Sequence, residues 1–452
     1  VRAATEKGRR SGRTASADGL CDAELAEFCR AAFDGCRSAV LAVSGGVDSM
    51  ALLLAAQCWR AAGNVAHADF PIIVATVDHG LRPGSDEEAR WVGLEAAKAG
   101  FEHHVLQWRG DKPRTRVQEA ARAARYDLLL DLAQHLSLPQ PVSIVLAHHL
   151  DDQAETFLMR LARGSGVDGL AAMAERRSIG RGGLRVQLAR PLLHVGKERL
   201  QTTLLARGLA WLDDPSNENP EFERVRLRWH LARLAAAGVG AEQIGLAAGR
   251  LARAREALEQ ATAALAERVV DVNRGAMAVI DVAAFLVAPE ELRVRLLQRI
   301  VGQFGGQQSE PVRLAQIETL AGRLSQTNMA ATLGGCRIAR DGGAIRVLRE
   351  PGRKGLPVLL LPVGDALIWD NRFLVAGGAG QAGPLTVRAL PAEVWSEIRQ
   401  SRRKQGLPAL SIPRAAAITL PSFWAGDRLV AVPDPEIAIG THAGVTAIFQ
   451  PA

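Results

Sequence analysis

The chain has 452 residues, 48% hydrophobic and 23% charged, a globular composition long enough for two or three domains. Its formal charge of +7 suits a polyanionic partner, and no apolar run reaches membrane-spanning length, since Val358-Leu359-Leu360-Leu361 stops at Pro362. The five cysteines (Cys21, Cys29, Cys36, Cys58 and Cys336) contain no C-x-x-C pair, so they read as reduced cytoplasmic thiols rather than disulfides, zinc ligands or cluster ligands.

Residues 1–20 carry Arg2, Lys7, Arg9, Arg10 and Arg13 among Ser and Thr and read as a basic disordered tail without a secretory signal. Residues 21–36 predict a short helix leading into the strand Ala39–Val43. Ser44-Gly45-Gly46-Val47-Asp48-Ser49 follows, and then the helix-forming run Met50–Ala56. Strand, glycine turn and helix in that order make an anion site: the glycines allow close backbone approach, and amides at the helix start face the ligand. Ser44 and Ser49 add hydroxyls. Asp48 beside bound phosphates implies Mg²⁺ between them, and no Lys follows the glycines, so this is not the G-x-x-x-x-G-K-[ST] loop. The plainer alternative is a Gly-Gly turn with Asp48 favouring a helix N-terminus.

Pro71–Val77 is a second strand, ending in Asp78-His79-Gly80-Leu81-Arg82-Pro83-Gly84-Ser85. Groups at the carboxyl ends of parallel strands face the ligand, which marks Asp78, His79 and Arg82, while Ser85 with Glu88 reads as a capping box. A helix at 86–99, a strand at 103–108 and a helix at 115–136 come next. Arg122 and Arg125 share a face of the last helix; taken alone, they read as a solvated cationic face. The fourth strand, Val142–Ala147, runs into His148-His149-Leu150-Asp151-Asp152-Gln153-Ala154-Glu155-Thr156. That cluster suits Mg²⁺ and substrate better than tetrahedral zinc, with Asp152 and Glu155 as a mere N-cap and its partner the alternative.

Leu184–Ala189 is strand-like, Arg190-Pro191-Leu192-Leu193 follows, and a helix covers about 196–207. Beyond Asp214-Pro215-Ser216-Asn217, a polar linker carries Arg224, Arg226 and Arg228, an arrangement suited to phosphates. Alternating positions cannot all share one helical face, so at least one should serve structure. Residues 232–326 read as helical, with Ile244, Ala247, Leu251, Ala254, Leu258, Ala261 and Leu265 as a packing seam. Short strands begin near Met329, and a helix at 391–405 ends in Arg399, Arg402, Arg403 and Lys404, either a phosphate contact or a solvated helix end.

Ser44–Ser49 resembles the SGGxDS loop of the N-type ATP pyrophosphatases, which split ATP into AMP and pyrophosphate. Across residues 38–230 the chain is similar to the tRNA(Ile)-lysidine synthetase family. The similarity lies in that loop, Asp78–Ser85, Gln118–Tyr126, His148–Thr156 with Arg163-Gly164-Ser165-Gly166, Arg190–Leu193, and Asp214–Asn217 with Arg224, Arg226 and Arg228. Thr332–Ile338 and Leu420-Pro421 with Gly426-Asp427 are weaker matches.

The resemblance implies an α/β fold: a Rossmann-like parallel sheet with a PP-loop at 21–230, a mainly helical tRNA-binding domain at 231–350, and a small α+β domain at 351–452. It implies ATP as substrate with Mg²⁺, L-lysine, and a tRNA(Ile) with a CAU anticodon. Lysine would be ligated to carbon-2 of the wobble cytidine through an adenylated intermediate, giving lysidine, AMP and diphosphate. ATP would meet Ser44, Gly45, Gly46, Val47, Asp48, Ser49, Asp78, His79 and His149. Asp48 and Asp152 would hold Mg²⁺ and act catalytically, with Arg122 and Arg224 stabilising the intermediate. Arg226, Arg228, Arg402, Arg403 and Lys404 would meet tRNA. Asp151, Asp152 and His149 all stand open as the base. Two other readings are a tRNA cytidine thiolase, which would want paired cysteines near the site, and a non-catalytic tRNA binder, which would release no pyrophosphate.

Overall fold

The computed structural model describes residues 18–63, 69–80, 84–110, 112–113, 117–181, 184–213, 223–306, 312–326, 329–353, 355–378, 381, 383–432, 434 and 444–450. Most of the basic tail, Leu81-Arg82-Pro83 and Asp214–Asn217 lie outside them. The chain forms two compact units, Val1–Arg255 and Glu256–Ala452.

The first unit is built on a six-stranded sheet of β1 (Ser38–Ala42), β2 (Ile72–Asp78), β3 (Glu102–Gln107), β4 (Val142–Leu146), β5 (Arg176–Arg181) and β6 (Leu184–Ala189), in the order β3-β2-β1-β4-β6-β5. All neighbours run parallel except β5 against β6. β1 and β4 are buried almost throughout, as strands covered on both faces must be, which is why their sequences are continuous apolar runs. On one face α1 (Asp22–Phe33) and α2 (Val47–Ala62) bury Leu25, Cys29, Leu52, Ala55 and Trp59. Phe33, Trp59 and Phe70 form an aromatic cluster there, with centroids 4.9–5.4 Å apart. On the other face α4 (Val117–His135) buries Leu129, Leu130 and Ala133. From β1 the chain steps outward to β2 and β3, then returns to β4 on β1's opposite side. The strand order therefore reverses between β1 and β4, and the crevice at their carboxyl ends is where a ligand fits.

The remaining helices are α3 (Ser85–Lys98), α5 (Leu150–Ala162), α6 (Val167–Leu170), α7 (Lys197–Ala206), α8 (Glu223–Ala236) and α9 (Ala241–Val269), whose residues fall in both units. Three local expectations change. Gly84, at φ +85°, caps α3 and Ser85 is already helical, because only glycine takes that left-handed cap without strain. Arg224, Arg226 and Arg228 stand on α8 rather than in a linker. Along α9 Ile244 and Leu265 are buried, but Ala254 and Ala261 are exposed while Ala248 and Thr262 are buried. The buried stripe drifts around the helix because 3.6 residues per turn do not keep a seven-residue repeat on one side.

In the second unit β7 (Val270–Asn273), β8 (Met277–Asp281), β9 (Met329–Leu333), β10 (Cys336–Asp341) and β11 (Ala344–Arg349) form a sheet ordered β7-β8-β11-β10-β9. The β7–β8 hairpin interrupts the stretch read as helical. Val270 and Val272 favour extended backbone, and Arg274 and Gly275, both at positive φ, make the turn. Two smaller sheets lie at 359–449. Asp370, 2% exposed, accepts from Arg349 at 2.8 and 2.9 Å and from Arg372 at 2.8 Å. Among the described residues no helix is long and apolar enough to cross a membrane.

Candidate active site

The turn after β1 is held from within and from behind. Gly45 has φ +89°, open to glycine and strained for other residues. Its carbonyl accepts the Leu212 N–H at 2.9 Å. A Cβ on Gly45 would stand 2.6 Å from Leu212 Cδ1. Ser49 Oγ donates to the Gly46 carbonyl at 2.9 Å and accepts the Ser44 N–H at 3.1 Å. Ser49 therefore shapes the turn, and its one proton is already used. Val47 and Asp48 open α2, with Gly46 as its cap, so the first amides of that helix face the crevice.

Across the switch point, α5 begins immediately after β4. His149 is its N-cap, and Asp152 Oδ2 accepts the His149 N–H at 3.1 Å. The capping box thus starts one turn earlier than an Asp152–Glu155 pair would place it. The His149 ring is buried among carboxylates: Nε2 lies 3.4 Å from Asp48 and 3.5 Å from Asp152, and Nδ1 lies 3.3 Å from Asp151. Nδ1 is also 3.2 Å from the Asp151 N–H, but it cannot accept that proton and donate to the carboxylate at once. Burial works against charging the ring. Asp151, Asp48 and Asp152 outweigh it and push its pKa up to about 10, so the protonated form, facing the Asp151 carboxylate, prevails. Asp151 also accepts the Lys197 N–H at 3.0 Å, which ties α5 to α7.

The neighbouring histidines behave oppositely. Burial, reinforced by Arg122, Arg190 and Arg125, holds His148 down to about 3 against the pull of Asp152. Burial and Arg125 hold His79 down to about 4, and its ring meets Trp108 edge-on at 5.8 Å. Both stay neutral at pH 7 and can serve as hydrogen-bonding groups. Asp78 accepts the Gly80 N–H at 2.8 Å, closing the turn after β2.

Cations rim the crevice. Arg224 Nη1 is 3.9 Å from Asp152, and Arg122 donates to the Tyr126 hydroxyl at 3.2 Å. Arg228 pairs through Nε with Glu155, whose side chain is 1% exposed. Of the arginine ladder it is thus Arg228 that supports structure, docking α8 on α5. Arg226 is exposed. Arg402, Arg403 and Lys404 end the helix Ala392–Lys404 of the second unit, where Arg402 donates to the Pro408 carbonyl. Sequence reasoning missed the Leu212 backstop and the clamp of Arg160, which donates to the Gly169 and Ala172 carbonyls at 2.8 and 2.9 Å; neither has a local signature.

Among the described residues no three metal-type side chains cluster as a cage. Mg²⁺ needs none, because it binds through one or two carboxylates together with substrate phosphates. Asp48 Oδ1 is buried without a hydrogen-bond partner, and Asp48 and Asp152 converge on the same ring nitrogen. These residues fit such an ion.

Residues 21–235 match the family model of the PP-loop domain. A tRNA(Ile)-lysidine synthase of Ruegeria pomeroyi is 39% identical over 407 residues, 89% of this chain and 90% of the relative. The chain belongs to the tRNA(Ile)-lysidine synthase family. A synthase of Rhodopseudomonas palustris is 43% identical over 70% of this chain and 91% of its own length. One of Brucella anthropi is 33% identical over 88% and 86%. The PP-loop makes this family member an ATP-dependent enzyme, and the parallel sheet followed by helical and mixed α+β regions is the fold the sequence led us to expect.

Beside Leu150 lies a cavity of about 580 Å³, lined among others by Val195, Glu198, Glu242, Gly249 and Arg253. Its acids suit an ammonium group and Arg253 a carboxylate.

Proposed function

We propose that this enzyme ligates lysine to carbon-2 of the wobble cytidine of a CAU-anticodon tRNA(Ile), consuming ATP and releasing AMP and diphosphate in the cytoplasm. The observation that carries the reading is the convergence of Asp48 and Asp152 on His149 beside the Gly45–Gly46 turn, in a chain similar along most of its length to synthases of that name.

The cytosine O2 attacks the α-phosphorus of ATP, and diphosphate leaves against the amides of Gly46, Val47 and Asp48. Asp48 and Asp152 would hold Mg²⁺, which neutralises phosphate charge when bound. Arg122 and Arg224 face the charge of the adenylated RNA. The ε-amine of lysine then attacks carbon-2, AMP departs with the former O2, and the ammonium proton passes to the carboxylate of Asp151 or Asp152. The cavity beside Leu150 offers free lysine both an acid and a cation. Ser44, Ser49, Asp78, His79 and His149 line or shape the nucleotide site. Arg226, Arg402, Arg403 and Lys404 would meet tRNA phosphates, residues 231–350 and 351–452 supplying the tRNA-handling domains. Arg228 contributes by fixing α8. A thiolase reading, which wants paired cysteines near the site, gains no support from five cysteines that contain no C-x-x-C pair.

The test is incubation with ATP, Mg²⁺, labelled lysine and CAU-anticodon tRNA. Label should enter the RNA with one AMP and one diphosphate per lysine. An RNA left unlabelled in the presence of every reactant overturns the proposal.

A further inference from the structure

Apart from Arg226, the outward face of α8 has no part in the proposal above. The chain has eight tryptophans, all among the described residues, and Trp229 is the exposed one, at 57%. Arg226, His230 and Arg233 are exposed as well. Spacings of three and four place Arg226, Trp229, His230 and Arg233 on one side of the helix. The other side buries Val225, pairs Arg228 with Glu155 and brings Arg224 to 3.9 Å from Asp152. Trp229 lies five positions beyond Arg224, about 7.5 Å along the axis and about 140° around it, so the indole faces outward on the flank of α8 away from Asp152.

A large aromatic face held in water between cations is poorly suited to an apolar protein surface, which would extend the hydrophobic area around it. It suits single-stranded nucleic acid, whose bases stack on the ring while arginines meet the phosphates. The geometry points to Trp229 as a stacking platform for a single-stranded anticodon-loop nucleotide that passes over the outer flank of α8, with Arg226 and Arg233 along its backbone. This rests on the proposed action on tRNA and adds a positioning residue to it.

Trp229→Ala, Trp229→Phe and the double Arg226→Gln/Arg233→Gln are compared in the full chain with tRNA and a CAU anticodon stem-loop. Trp229→Ala should raise the KM for tRNA about tenfold or more, leave the KM for ATP alone, and be largely rescued by Trp229→Phe. Its salt dependence should match the parent's, because stacking releases no counterions, whereas each arginine removed should lower the slope by about 1. The stem-loop should quench the parent's fluorescence more than that of Trp229→Phe. An unchanged tRNA KM or equal quenching overturns the assignment. So does a defect that tracks self-association, which would make this face a protein contact. If the parent binds and is quenched by the stem-loop yet ligates no lysine, the ligase reading fails while Trp229 keeps its role.

Discussion

Leu212 donates its N–H to the carbonyl of Gly45 and rests its side chain where a Gly45 Cβ would lie, at 2.6 Å. A residue far along the chain thus backs the phosphate turn. Gly45→Ala meets two obstacles, the left-handed φ and the leucine. We expect pyrophosphate release to fall by about a hundredfold with the far-UV spectrum retained. Adding Leu212→Ala should restore part of it, because the clash is relieved and the backbone strain is not. Full activity of Gly45→Ala would show that the turn is free to reshape.

Asp48→Asn keeps size and removes charge from a carboxylate with one oxygen buried and without a hydrogen-bond partner. Diphosphate production should drop by at least about a hundredfold, with a raised Mg²⁺ requirement in titrations. Near-parental turnover at ordinary Mg²⁺ removes Asp48 from the mechanism.

Arg228→Ala leaves the buried Glu155 carboxylate without its partner. The expected loss is about 1–3 kcal/mol, moderated because Arg228 stays partly in water. Burial already raises the Glu155 pKa above its ordinary value despite Arg228, and the variant should raise it further. Between the unfolded pKa and that raised value the native state binds more protons, so stability falls as pH rises. Urea melts should show a larger defect at pH 8 than at pH 5; a defect independent of pH assigns Arg228 a packing role only.

Asp370→Asn tests the buried triad of the second unit. Asp370 sits at φ +49°, a conformation asparagine also tolerates, so the backbone should hold while Arg349 and Arg372 lose their counter-charge. A destabilisation of about 3–5 kcal/mol is expected by denaturant unfolding. A change below about 1 kcal/mol would mean the arginines find other acceptors.

Replacing Arg402, Arg403 and Lys404 with Gln should weaken tRNA binding and flatten its salt dependence, by about 1 in slope for each phosphate no longer neutralised. An unchanged slope makes the cluster ordinary surface.

The elements around the crevice were legible in the chain because their signals are local. Apolar runs buried on both faces mark β1 and β4, and a glycine pair between strand and helix marks the phosphate turn. Acidic residues following a strand mark the second half of the site. The β7–β8 hairpin was hidden inside helix-forming composition, because two four- to five-residue strands carry too little periodicity to compete with their surroundings. Sequence alone determined that a PP-loop follows one strand and a histidine–aspartate cluster another. Only the tertiary structure decided that Asp48 and Asp152 share one buried imidazole, that Leu212 backs Gly45, and that Arg228 serves Glu155. Those pairings depend on strand order and helix docking, where residues distant in sequence meet because the sheet reverses between β1 and β4, and no local pattern encodes that meeting.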